Sequence, residues 1–96
     1  MKPVNWNAEK NILLKTERGV SFEEVVLCMS KGGLLMVLDH PNTAQYPNQR
    51  MFVVRIRDYA YLVPFVETPQ EVFLKTIIPS RKATRIYLLK ENENES

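Results

Sequence analysis

Cationic and phenolic side chains are the groups in this sequence best suited to chemistry, and most lie in its second half. Residues 50–90 hold eight basic and three acidic side chains, a net charge of +5, whereas residues 1–49 are balanced. Such a segment indicates a polyanionic ligand, although a solvated strand-and-helix surface has the same composition. The residues of interest are His40, Tyr46, Arg50, Arg55, Arg57, Tyr59, Tyr61, Lys75, Arg81, Lys82, Arg85 and Tyr87.

This set is sufficient in kind for metal-independent cleavage of RNA. The reaction deprotonates the ribose 2′-hydroxyl, neutralises the pentavalent phosphate and protonates the leaving 5′-oxygen. Arginine matches two phosphate oxygens, tyrosine stacks on a base, and histidine, or a lysine or tyrosine of lowered pKa, can move the proton.

Other chemistries find little support in the sequence. It has no Gly-rich phosphate loop, no paired nucleophile and base, and no carboxylate cluster with metal-ligand spacing. With one cysteine, Cys28, and one histidine, His40, neither an internal disulfide nor a common zinc site can form. We therefore expect no metal and no cofactor.

Several candidates also have structural interpretations. Lys75 interrupts an apolar strand and must face outward beside Phe73 and Ile77, either in a cleft or as protection of a sheet edge. His40, at a strand-to-loop junction, fits a structural role as well. A helix start disfavours cations, so an anion, solvent or a partner's carboxylate must account for the basic residues there. These are Arg81, Lys82 and Arg85.

The first half of the chain predicts two helices. The first runs from about Asn7 to Arg18, with Asn5 or Asn7 as its cap. It places Ile12, Leu13 and Thr16 on one side and ends at Gly19. The second begins with a capping box, in which the Ser21 hydroxyl accepts from the Glu24 amide and the Glu24 carboxylate reaches back. It should run from Phe22 to about Ser30, with a buried stripe at Phe22, Val25, Val26 and Met29.

The remainder predicts four strands and a third helix. In the second expected strand, 51–57, alternation places Phe52, Val54 and Ile56 on one face. In the third, 60–67, Pro64 lacks a backbone donor and therefore requires a bulge or a free side. An α+β domain follows, with a four-stranded antiparallel sheet and helices on one face. The strands are expected at 34–39, 51–57, 60–67 and 72–78, the loop at 40–48 and the helix from Arg81.

The length of 96 residues fits one domain, which we place at residues 1–90, followed by a disordered acidic tail at 91–96. No apolar stretch approaches the ~20 residues of a membrane span, and the N-terminus shows no signal peptide. A cytoplasmic location is the expectation, with no membrane partner.

Four stretches together point to a known family. They are Trp6-Asn7, the Gly-Val-Ser-Phe-Glu-Glu box within 18–25, Arg50 with Phe52, and Ile78-Pro79-Ser80-Arg81-Lys82-Ala83-Thr84 with Tyr87. In this order and at these separations they resemble the BrnT family of bacterial toxins. Asn7, Arg18 and Gln49 differ from the family's usual aspartate, histidine and acidic residue.

The resemblance implies a RelE-like fold and an endoribonuclease toxin of a type II toxin–antitoxin system. Its cognate antitoxin would neutralise it and carry the DNA-binding domain that reaches the operator. RNA, free or on the ribosome, would lie across the sheet and the last helix. The resemblance and the residue chemistry give a catalytic set of His40, Arg50, Lys75, Arg81 and Tyr87, and RNA contacts at Tyr46, Arg55, Arg57, Tyr61, Lys82 and Arg85.

Within this hypothesis Arg50 and Arg81 hold the scissile phosphate, Lys75 stabilises charge or acts as the acid, and His40 or a tyrosine takes the 2′-proton. Two other functions remain open. One is a toxin of the same fold that acts on a protein such as gyrase. The other is a module that binds nucleic acid without cleaving it, for which the basic segment alone is sufficient.

Overall fold

The structure is a computed structural model that describes residues 2–89. The predicted tail at 91–96 lies outside these residues. An irregular turn, Met29–Gly33, joins the second helix to the second strand. The elements, in chain order, are β1 Val4–Trp6, α1 Ala8–Arg18, α2 Phe22–Cys28, β2 Leu34–Asp39, β3 Gln49–Ile56, β4 Tyr59–Glu67, β5 Val72–Leu74, β6 Ile78–Pro79 and α3 Arg81–Tyr87.

The strands form one mixed sheet in the order β1-β5-β4-β3-β2, with β6 also paired to β4. The α+β class is confirmed, but the expected four-stranded antiparallel sheet is wrong in two respects. β1 pairs in parallel with β5, and the strand expected at 72–78 is divided into β5 and β6. β1 has only three residues, and its partner β5 lies far from it in the sequence, so no local pattern predicts this strand.

One face of the sheet packs against α1 and α2 and holds the main apolar core. Leu14 of α1 and Phe22 and Val25 of α2 are buried against the sheet. The Phe22 ring stacks on Trp6 of β1, with ring centroids 5.6 Å apart. The sheet contributes the alternate residues Val54, Ile56, Val63, Phe65 and Leu74, together with Ile77.

The other face packs against α3, so the expectation that all helices share one face is wrong. Ala83 of α3 is buried against Val53 and Ala60, and Tyr87 packs beside them. Both faces of the central strands therefore need apolar side chains, which explains why Val53 and Val54, neighbours in β3, are both fully buried.

The helix ends largely follow the predicted signals. The Asn7 side chain accepts from Lys10 N–H, and Gly19 ends α1 with φ 67°. Ser21 accepts from Glu24 N–H at 3.1 Å, but the return half of the capping box is absent, because the Glu24 carboxylate binds Arg57 instead. The second helix ends at Cys28 rather than Ser30.

The buried side chains of α1 and α2 differ from the prediction. Ile12 and Leu13 are 64% and 47% exposed, whereas Asn11 is 5% exposed. Asn11 accepts from Phe22 N–H and donates to the Glu23 carboxylate, both at 2.7 Å, so it satisfies the first backbone donor of α2. In α2, Phe22 and Val25 are buried, but Val26 is 36% exposed.

Pro64 marks the point at which the edge of β4 changes partner. Lys75 N–H donates to the Pro64 carbonyl at 2.8 Å, after which the chain leaves β4 and returns at β6, opposite Leu62. The N–H and C=O groups of one strand residue point to the same side of the strand. The missing N–H of Pro64 therefore belongs to the side where β4 changes partner from β5 to β6. The predicted free side of the strand is therefore observed.

Thr84 attaches α3 to the sheet, and its replacement by valine should lower the free energy of unfolding. Thr84 is 7% exposed, and its hydroxyl accepts from Ala60 N–H at 2.9 Å and donates to the Ser80 carbonyl at 2.8 Å. Thr84→Val leaves the Ala60 donor buried and unpaired, which costs about 1–3 kcal/mol. Urea denaturation measures the change. The control is Thr16→Val, whose exposed hydroxyl donates only to the Ile12 carbonyl, and an equal loss in both variants would contradict the expectation.

Candidate functional site

One part of the α3 side of the sheet belongs to neither apolar core. We call it the open face: a half-buried floor of Met51, Pro64, Val66 and Phe73 between His40 on the β2 side and Lys75 on the β5 side. The cross-strand pairs Met51–Pro64 and Val66–Phe73 place the floor on one surface. Because Phe65 and Leu74, their neighbours in sequence, point into the main core, this surface is the opposite one.

Lys75 is exposed on the open face, as predicted. Its ammonium lies 5.8 Å from the centroid of the Phe73 ring, within reach of a cation–π contact. Ile77, expected beside it, is instead fully buried in the main core. A half-buried phenyl ring with a lysine above it can stack a base and hold its phosphate.

A cleft of about 320 Å³ lies between α3 and the open face. Lys82, Ile86 and Tyr87 of α3 form one wall, and Leu38 and Leu62 of the sheet form the other. The Ser80 side chain caps α3 through Ala83 N–H and so fixes where the helix begins. The cleft therefore combines an apolar base with one cation and one phenol.

The register of β4 connects this cleft to Lys75. Leu62 lines the cleft, and Pro64, two residues on and thus on the same surface, accepts the Lys75 N–H. Leu38 continues the row through its pairing with Met51. One continuous surface is consequently bordered by Lys75, Lys82 and Tyr87. Arg81 and Arg85 are four residues apart, so they share a side of α3, and both are exposed.

His40 is held by the loop that follows β2. Its Nδ1 accepts from Asn42 N–H at 3.0 Å, and its ring lies 4.5 Å from that of Tyr46. Nδ1 as acceptor leaves the proton of neutral imidazole on Nε2. In this arrangement Nε2 of a neutral His40 can donate a hydrogen bond but cannot accept one.

His40 and Lys75 do not converge. They lie on β2 and β5, which are separated by β3 and β4. Three strand spacings amount to about 14 Å. The two groups are therefore placed to contact different nucleotides of a bound strand rather than one phosphate.

The structure places Arg50 on the opposite face of the sheet, paired with Phe65 of the main core. Its Nε lies 3.5 Å from an Asp39 carboxylate oxygen. Nearby, the hydrogen bond from the Lys2 ammonium lowers the pKa of Glu67, and the charge of Arg50 adds to this effect. Arg50 and Arg81, predicted to hold one phosphate, thus lie on opposite sides of the sheet.

The remaining predicted contacts lie away from the open face. Tyr61 packs on the main core and meets Tyr59 edge to face at 5.8 Å. Arg57, in the β3–β4 turn with φ 50°, binds the Glu24 carboxylate and the Gly19 carbonyl. Arg55 binds Asp58 at the same turn. These arginines are engaged in stabilising the fold.

The cations of 75–85 differ from these in their pairing. Within residues 2–89, Lys75, Arg81, Lys82 and Arg85 have no carboxylate within 4.0 Å, whereas Arg50, Arg55 and Arg57 each have one. Lys10, Arg18 and Lys31 also lack one, but Lys10 and Arg18 lie near opposite ends of α1 and Lys31 lies in the turn after α2. The basic residues around α3 form the largest group of this kind and suit an anionic ligand.

Sequence reasoning did not include the floor of the open face in the site. Phe73 is its chief member, and the signal was present, because Lys75 must face outward and Phe73 is two residues away in the same strand. Met51 and Val66 carry no such signal, since apolar strand residues are ordinarily taken as core.

Comparison of the chain with known protein families, with characterised proteins and with solved structures finds no match. In the described part of the chain no three His, Cys, Asp or Glu side chains are grouped as metal ligands would be. None of the helices there is long and apolar enough to span a membrane.

Proposed function

We propose that this chain is a metal-independent endoribonuclease of the RelE-like toxin type, active in the cytoplasm and neutralised by a cognate antitoxin with its own DNA-binding domain. The observation that carries the proposal is the open face, an apolar floor bordered by cations that lack carboxylate partners among residues 2–89. The resemblance to BrnT toxins supports the same function.

Each part of the open face has a role in this proposal. Bases stack on Phe73 and enter the cleft beside Tyr87, while the ammonium groups of Lys75 and Lys82 hold phosphates. RNA is the favoured polyanion because its 2′-hydroxyl is a nucleophile that the protein need not supply. The antitoxin would cover this surface and so exclude RNA.

Lys75 is the main candidate for catalysis. Its exposed ammonium can stabilise the charge that develops on the phosphate or give a proton to the 5′-oxygen. His40 can serve as a base only if its Nδ1 releases the Asn42 N–H and takes the proton itself, because Nε2 is otherwise protonated. In the observed arrangement it contributes a hydrogen bond.

The separation of His40 from Lys75 favours one second candidate, a module that binds single-stranded RNA without cleaving it. Such a surface needs stacking and cations but no convergent acid and base. Its binding would weaken steeply with salt.

Incubation of the purified chain with end-labelled RNA in EDTA tests the proposal. We expect products that end in a 2′,3′-cyclic phosphate, with no cleavage of a DNA strand of the same sequence, because DNA lacks the 2′-hydroxyl. If RNA remains intact both free and on translating ribosomes while salt-sensitive binding persists, the binding module replaces the nuclease. A change in plasmid topology would instead indicate a gyrase-type target.

A further inference from the structure

The outer edge of β2 has no strand partner among residues 2–89. Its sequence, Leu-Leu-Met-Val-Leu-Asp, contains neither proline nor lysine, the residues that commonly protect a sheet edge. The other edge strand, β1, is three residues long and directly follows Pro3. β2 is therefore the edge that can accept another strand.

One hydrogen bond fixes which backbone groups point out from this edge. His40 N–H donates to the Gln49 carbonyl at 3.2 Å, so His40 faces β3. Alternate residues of an antiparallel strand face the same neighbour, and Leu38 therefore faces β3 as well. Val37 and Asp39 direct their N–H and C=O groups away from the sheet.

The regular part of β2 is complementary to itself. The register shifts between Leu34 and Met36, so the ladder is regular from Met36 to His40, with Leu38 at its centre. Antiparallel pairing about a two-fold axis at Leu38 brings Val37 of each copy opposite Asp39 of the other. These are the outward-facing residues, and each such pair exchanges both of its hydrogen bonds.

The side chains permit the same pairing. Leu38 meets its equivalent on the α3 side of the sheet, beside Met36 and Ile86, which are 43% and 41% exposed. The Asp39 carboxylates are the one charge on the strand, and each has Arg50 of its own chain 3.5 Å away to offset their repulsion. A second copy therefore covers apolar surface without burying an unpaired charge.

We propose that two copies of this chain associate through their β2 edges and form a continuous sheet across the dimer. An axis perpendicular to the sheet keeps both open faces on one side, with the two α3 clefts adjacent. The inference does not depend on the proposed function, since it rests on the edge of the sheet and not on its surface.

Sedimentation equilibrium of the purified chain over a wide concentration range tests the proposal. We expect a monomer–dimer equilibrium whose dissociation constant rises about tenfold or more in Met36→Lys, because a lysine on the edge opposes strand addition. The matched control is Ile12→Lys, a 64% exposed apolar residue on α1, which should leave the constant unchanged. Circular dichroism checks that both variants fold.

A wild-type chain that is monomeric throughout the range would overturn the proposal. So would a dimer unaffected by Met36→Lys, because it would use another surface. Amide hydrogen exchange provides a readout that needs no substitution. The amides of Val37 and Asp39 should become protected as concentration rises, whereas those of Leu38 and His40, already bonded to β3, should not change; the reverse pattern would exclude this edge.

Discussion

Replacement of Lys75 by alanine is expected to lower the rate of RNA cleavage by about 100-fold, the usual effect of removing one donor to a developing anionic charge. Lys75 is exposed at the border of the open face and has no carboxylate within 4.0 Å among residues 2–89. Single-turnover cleavage of labelled RNA measures the rate.

Lys31→Ala provides the matched control, since Lys31 is also an exposed lysine but lies in the turn after α2. Lys75→Arg separates two roles: it should restore RNA binding through its charge but not cleavage if Lys75 donates the proton, because arginine does not give up its proton. If Lys75→Ala keeps full activity, and cleavage still depends on the 2′-hydroxyl, Lys75 is not part of the active site.

Asn11→Leu is expected to lower the free energy of unfolding by about 2–3 kcal/mol. The leucine has similar size but leaves the Phe22 N–H, in a fully buried residue, without the acceptor it has at 2.7 Å. It also removes the donor to the Glu23 carboxylate. Urea denaturation gives the change.

Asn5→Ala is the control for this substitution, because the Asn5 side chain also donates to a glutamate, Glu71, but on the exposed surface. Its effect should stay within about 0.5 kcal/mol. Comparable losses in the two variants would show that burial of Asn11 is not the cause.

The Asn11 variant should also respond less to acid. The hydrogen bond from Asn11 is the main cause of the lowered pKa of Glu23. A carboxyl with a lowered folded-state pKa stabilises the fold above its ordinary pKa, and this contribution is lost as pH falls through the lowered value. Asn11→Leu lacks the part of this contribution that comes from Asn11 at every pH, so its difference from wild type should shrink below the ordinary carboxyl range.

Much of the fold follows from local signals. Ser21 caps α2, Asn7 caps α1 and Gly19 ends it, because each of these acts through the backbone of its immediate neighbours. The alternation in β3 correctly separated Phe52, Val54 and Ile56 from Val53. Such patterns are read within a few residues and need no knowledge of the rest of the chain.

Most of the failures concern distant partners. β1 exists only because Val72–Leu74 lies beside it, and Asn11 is buried only because the N-terminus of α2 meets it. The helical repeat of apolar residues assigns Ile12 and Leu13 to the core and does not assign the polar Asn11 to it. No local pattern states on which face of the sheet α3 packs.

In the candidate site, too, local patterns predicted some features, whereas others depend on residues distant in the sequence. That Lys75 faces outward followed from its apolar neighbours, whereas Arg50 precedes the strand predicted at 51–57, so alternation assigned it no face. To place Arg50 and Lys75 on opposite faces, however, requires the register between β3, β4 and β5, which the structure supplies and the sequence does not.

The pairing of β1 with β5 makes completion of the sheet a late event in folding. The Lys2–Glu67 contact beside it joins residues 65 apart in sequence, so a large loop must close before β1 gains a single strand partner. Contacts of such high order slow folding. During synthesis β1 emerges from the ribosome before β5, so this part of the sheet can form only after β5 has been translated.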